Sequence, residues 1–245
     1  MIRTLAVLVG TALTATVLTA TALAAPPTTT QAADSQLTSQ TISKRLRAAV
    51  KDLPVRAETR AGYDRDKFEH WIDADSDCRD TRDEVLAQES RVLVTGSCDV
   101  VEGEWVSYYD KLTWRQSSDV DIDHMVPLSE AWDSGAKRWN AGTRRRFAND
   151  LGDRRALVAV TDNVNSSKGD RDPAEWLPPH HKCLYVEQYT AVKMRWALRV
   201  NRPEKRALTR VASGCQNSII KVRRAPIRTG PGSAETDPWV GLSGS

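Results

Sequence analysis

Asp123-His124 is the pair in this chain best suited to hydrolytic chemistry. An imidazole accepts a proton from water near neutral pH, and a neighbouring carboxylate can hold a divalent cation without competing for that proton. Adjacent residues of an extended strand point to opposite sides, so the two serve one site only if the chain kinks; Pro127 follows closely. A second polar group lies further on, in Asp162-Asn163-Val164-Asn165-Ser166-Ser167-Lys168-Gly169-Asp170. An Asn at a helix start offers its amide oxygen to a hard cation such as Mg²⁺. Lys168, three residues later on a helix, shares that face and can meet a phosphate. Each group alone has a plainer reading: a structural histidine, and a polar turn capping a helix.

The elements that must position these residues follow from periodicity. Asp121 to Leu128 alternates as a strand that Pro127 stops, and Ser129-Glu130-Ala131-Trp132 then opens a helix. Ala156 to Thr161 is a second strand, turned by Asp162-Asn163, with a polar helix beginning near Asn165–Lys168. Upstream, Leu37 to Leu53 has helical spacing, Arg82 to Leu86 suits a short helix, and Val92-Leu93-Val94-Thr95 and Glu104 to Tyr109 suit strands. Downstream, Thr143–Leu151, Tyr185–Val200 and Pro203–Gly214 are helix candidates. The expected class is α+β, with a short antiparallel sheet and flanking helices.

Met1 to Ala24 has one Arg, a run of apolar and small residues and an Ala22-Leu23-Ala24 end, the pattern of a secretory signal peptide. Its removal takes formal charge from 35 − 32 = +3 to 34 − 32 = +2. Net charge therefore does not announce a polyanionic partner; the local runs Arg144-Arg145-Arg146, Arg154-Arg155 and Lys221 to Arg224 are more informative. Residues 25–40 suit a disordered linker, 41–221 one domain, and 222–245 a loose tail. Four cysteines in an exported chain favour disulfides, and the two sequence-local pairings, Cys78–Cys98 and Cys183–Cys215, are expected. No CxxC or paired Cys/His spacing supports zinc.

Taken together, the strand ending in Asp-His-x-Val-Pro-Leu, the strand before Asp162 and the Asn-x-x-Lys-Gly-Asp segment resemble the HNH endonuclease superfamily, the ββα-metal nucleases. The nearest resemblance is to secreted actinobacterial HNH proteins, whose module is shared with the C-terminal domain of modification-dependent restriction enzymes. Asp172 to Pro178 (Asp-Pro-x-x-Trp-Leu-Pro) belongs to the same match, which covers residues 119–179. A looser similarity extends through Gly62-Tyr63-Asp64-Arg65, Asp80-Thr81-Arg82 and Val85-Leu86. The resemblance implies a ββα-metal core with His124 as general base and Asp123 and Asn165 as metal ligands. It implies Lys168 in the catalytic set and a middle Asn that orients the histidine, Asn149 with Asn163 as fallback. The last position is Asn, not His, which favours Mg²⁺ or Mn²⁺ over zinc. Tyr63, Arg65 and Arg82 are candidate phosphate contacts.

The activity so implied is secreted, metal-dependent cleavage of DNA, with RNA as a second polymer, by a monomer that contacts phosphates and has no stable membrane association after signal cleavage. The rival is a secreted binding module on the same scaffold that cleaves nothing; a glycan hydrolase using paired carboxylates is a third reading. Asp73, Asp75 and Asp77 with Glu84 follow EF-hand spacing, although Cys78 stands where that loop needs Gly. His180-His181 suits a solvated loop. With eight Trp and two Phe, tryptophan should supply much of the aromatic core, Trp105, Trp132 and Trp196 first.

Overall fold

Thr41–Arg45 (β1) runs directly into Leu46–Asp52 (α1) in the computed structural model, which describes residues 40–230. The signal segment, residues 25–39 of the linker and 231–245 of the tail lie outside the described residues. Thr81–Glu89 (α2) starts on an Asp80 cap whose side chain accepts from the Asp83 backbone. Glu102–Val106 (β2) and Thr113–Gln116 (β3) form an antiparallel hairpin. Val120–His124 (β4) is followed by Leu128–Asp133 (α3), which begins after Pro127, and by Ala141–Ala148 (α4), capped by Asn140. Leu157–Thr161 (β5) passes without a break into Asp162–Lys168 (α5). Lys182–Arg195 (α6), Arg202–Ser213 (α7) and Ile219–Arg223 (β6) complete the order.

The class is α+β: mixed helices around three small antiparallel sheets, β1-β6, β2-β3 and β4-β5. β4 and β5 pair with Asp123 opposite Val158 and His124 opposite Leu157. Every residue of β5 is buried, which its run Leu-Val-Ala-Val-Thr predicts for a strand covered on both faces. α5 packs on both strands, and α2 covers β5 from another part of the chain. Trp105, Trp132 and Trp196 are all buried, and Trp139, Phe147 and Trp196 form a cluster with centroids 5.4–5.6 Å apart. Both cysteine pairs, Cys78–Cys98 and Cys183–Cys215, are bonded.

Three expectations need correction. The helix expected from Leu37 starts at Leu46; residues 41–45 are instead a strand, because β6 lies alongside and takes up their backbone groups. Val92–Thr95 is not a strand. Its side chains find no face to bury, Leu93 being 97% exposed, and Thr95 instead closes a turn with Val101 and Glu102. The tail is packed through residue 230: Ile220, Val222 and Ala225 are buried and Thr229 bridges to Trp139. Two inward residues in β6 are too few to reveal a period, and their partner strand is far away in sequence.

Candidate active site

Asp123 lies on β4 facing α5. Its Oδ1 accepts from Lys168 Nζ at 2.7 Å and its Oδ2 from the Tyr109 hydroxyl at 2.5 Å. The same ammonium donates to the His124 carbonyl at 2.9 Å, so one side chain of α5 holds consecutive residues of β4. Asp123 is 5% exposed and Lys168 fully buried. Burial raises the carboxyl and lowers the ammonium from their ordinary values, and each partly offsets the other's shift. One rung further along, the Asn165 amide donates to Asp121 Oδ2 at 3.1 Å. Asp121 and Asp123 share a strand face, and Asn165 and Lys168 are three apart on a helix, so two side-chain pairs cross between the elements.

His124 faces the opposite way, as alternation on an unbroken strand requires, so the expected kink between Asp123 and His124 is absent and the two side chains leave β4 on opposite faces. Its Nε2 bonds the Ala148 carbonyl at 2.9 Å, which makes Nε2 the protonated nitrogen and leaves Nδ1 with the lone pair. No bond to Nδ1 is made among the described residues. Trp71 stacks on the ring at 5.3 Å with planes 30° apart, and His70 is 6.4 Å away. Burial, aided by the charges of Arg65, His70 and Lys168, pushes the imidazole down to about 3, so it is neutral at physiological pH.

Asn149 does not bond the His124 ring. Its amide donates to the carbonyls of Glu69 and Arg145 at 2.7 and 2.8 Å, and its oxygen accepts from Ile72 N at 3.3 Å. Those bonds fasten the segment that carries His70 and Trp71, with Trp71 held at φ 57°. Asn149 therefore reaches His124 through Trp71 and through the neighbouring Ala148 carbonyl. A loop residue in a left-handed conformation leaves no periodic mark, so Trp71 is not legible as a partner of His124 from its position in the chain. Tyr109 was missed as a partner of Asp123 for a similar reason: it follows β2, outside the matched motif. Its backbone carbonyl accepts from His180, and Trp176 packs 5.3 Å from its ring, so the Asp172–Pro178 segment braces it.

The candidate phosphate contacts separate. Arg65 is exposed and its charge acts on His124. Tyr63 is half-buried against Phe68 and Trp132. Arg82 is engaged elsewhere: its guanidinium donates to the carbonyls of Ser117 and Val120 at 2.9 and 3.0 Å and fixes the entry to β4. Asn163 stands in the first turn of α5, beside Asp162.

Asp121, Asp123 and Asn165 form an oxygen-only donor set, the chemistry a hard cation prefers. Asn165 engages its nitrogen with Asp121, and its oxygen has no partner among the described residues. Each oxygen of Asp123 already accepts one hydrogen bond but keeps further acceptor capacity. The donor chemistry suits a hard cation, and the Lys168 ammonium and Tyr109 hydroxyl hold the Asp123 oxygens that such an ion would use. In the remote acidic loop, Asp73, Asp75 and Asp77 are exposed and lie close together.

Residues 75–211 match the family described as the C-terminal domain of GmrSD restriction endonucleases, and the chain belongs to that family. It is also 48% identical over 157 residues to an uncharacterized secreted protein of Arthroderma benhamiae, covering 63% of this chain and 76% of the relative. No solved structure gives a significant match. Kinship with a secreted protein and two disulfides define this chain as an exported protein of a restriction-endonuclease-related class.

Proposed function

We propose that the chain is a secreted, metal-dependent endonuclease of the HNH type, with β4, β5 and α5 as its ββα-metal core, that hydrolyses phosphodiester bonds in DNA with little sequence preference. The observation that carries this reading is the reach of Lys168 from α5 to Asp123 and the His124 carbonyl, which joins the two halves of the motif. Membership of a restriction-endonuclease domain family supports the class of reaction.

In this reading His124 Nδ1 takes the proton of the attacking water while Nε2 stays on the Ala148 carbonyl. A base held near 3 is weak at rest. An arriving phosphodiester brings the negative charge that raises it, and the stacked Trp71 keeps the ring from turning. Arg65, exposed and close enough for its charge to act on His124, offsets the developing charge in this reading, while Lys168 acts through its hold on Asp123 and the His124 carbonyl. Mg²⁺, with Mn²⁺ as a substitute, is the proposed cofactor, held by Asp123 and Asn165 with Asp121 adding a carboxylate. Such a cation, when bound, would supply Lewis-acid stabilisation of the charge that builds on the scissile phosphate. Contacts to phosphates rather than bases make both DNA and RNA substrates for a monomeric enzyme.

Supercoiled plasmid incubated with the purified mature protein should be nicked and linearised with Mg²⁺ and left intact with EDTA. His124→Ala should abolish cleavage while thermal unfolding stays cooperative. Full cleavage by purified His124→Ala protein would overturn the mechanism, and a wild type that binds plasmid without cutting it would favour a pure binding module.

A further inference from the structure

Away from Asp123 and His124, four acidic side chains from separate parts of the chain meet in the interior. They are Glu58 in the loop after α1, Glu130 of α3, Asp172 in the loop after α5 and Glu204 of α7. Glu130, Asp172 and Glu204 are buried and Glu58 half-buried. One buried ammonium faces them. Lys193 of α6 lies 2.5 Å from Glu130 and 2.9 Å from Glu204, and also donates to Ser134 Oγ and the Arg199 carbonyl. The Asn201 amide bridges Glu58 Oε1 and Asp172 Oδ2 at 2.6 and 3.0 Å. The neighbouring Arg60 is engaged by Asp133 and Asp170. Lys193 thus pairs with Glu130 and Glu204, while Glu58 and Asp172 have the neutral Asn201 amide, in a part of the protein where uncompensated charge is costly.

Two further facts point to a cation. One carboxylate oxygen from each of Glu58, Asp172 and Glu204 lies within 4.8 Å of the others, the span of two metal–oxygen bonds of about 2.4 Å, the calcium length. The Tyr189 hydroxyl, on a fully buried side chain, has no hydrogen-bond partner among the described residues and feels the charges of Glu204 and Glu130. A buried hydroxyl normally finds a partner. Mg²⁺ fits less well, since it needs shorter bonds and retains its waters.

We propose that Glu58, Asp172 and Glu204 form a second cation site, for Ca²⁺, that pins the loops after α1 and α5 to α7. This site is independent of the nuclease reading.

The test is calorimetric titration of the EDTA-stripped mature protein with CaCl₂ alone, beside thermal melts with and without CaCl₂. The expected result is one strong Ca²⁺ equivalent that raises Tm. Glu58→Gln, at a half-buried position that tolerates an amide, should weaken it by about tenfold or more with the far-ultraviolet spectrum unchanged. Asp75→Asn in the exposed acidic loop and Asp123→Asn should keep the site. No calcium heat and no Tm shift above neutrality would overturn the proposal, as would binding that survives Glu58→Gln or is lost in Asp75→Asn. Plasmid cleavage is read separately, so failure here leaves the nuclease reading standing and the reverse holds too.

Discussion

Lys168 Nζ stands 2.7 Å from Asp123 Oδ1, and both groups are out of water. Removing one partner of such a pair strands the other. Lys168→Met should cost about 3–5 kcal/mol of stability, read as a clear fall in Tm, and should slow plasmid cleavage. Because the vacated carboxylate then has only Tyr109, millimolar Mg²⁺ should recover more Tm in this variant than in the wild type. Equal Mg²⁺ responses would argue against a cation at Asp123.

His124 sets an acid limit on stability. Its folded value of about 3 lies below the ordinary 6.5, so the unfolded chain binds the proton more readily. The stability tied to neutral His124 is complete above pH 6.5 and falls as pH drops toward 3, by up to about 5 kcal/mol. Melting curves across that window should show a steeper acid slope for the wild type than for His124→Leu. Parallel slopes would mean that the ring is not buried neutral.

Glu89 works in the opposite direction. Burial raises it to about 7 from 4.5, while Ala159 N donates to it at 2.9 Å. The folded state holds this proton more tightly, so the stabilisation is complete below 4.5 and is lost as pH rises through 7. Glu89→Gln keeps an acceptor for Ala159 and should melt higher than the wild type in alkaline buffer, by about 2–3 kcal/mol in stability. A variant less stable there would refute the assignment.

Arg82 and Arg65 should separate structure from substrate. Arg82→Ala removes two bonds to the carbonyls before β4 and should lower Tm while changing KM for plasmid little. Arg65→Ala should leave Tm nearly unchanged and raise KM, with a shallower dependence on salt. The opposite assignment of the two effects would place the phosphate path elsewhere.

What was legible in the sequence was the local part of the site. β4, β5 and α5 are legible because Asp123-His124 closes an alternating segment stopped by Pro127, and because Asn165 and Lys168 directly follow the apolar run ending at Thr161. What depended on distant partners was not legible. Thr41–Arg45 is extended only because Ile219–Arg223 pairs with it, and nothing within either segment says so. The Trp71 stack, the Tyr109 bond to Asp123 and the convergence of Glu58, Asp172 and Glu204 join residues whose separations follow no period. Arg82 stood in a familiar neighbourhood and suggested a phosphate contact, whereas its reach toward Val120 is a matter of tertiary placement.

The β1-β6 pairing has a topological consequence. Thr41 sits opposite Arg223, so the strands nearest the two ends of the described residues lie side by side. A short linker could join them, and new ends could be cut in the 92–97 loop, where Leu93 stands free in solvent and no ladder would be broken. Such a circular permutant would turn the most non-local strand pair into a hairpin and lower the loop-closure entropy of forming it. In the natural order, β1 leaves the ribosome long before the strand it pairs with.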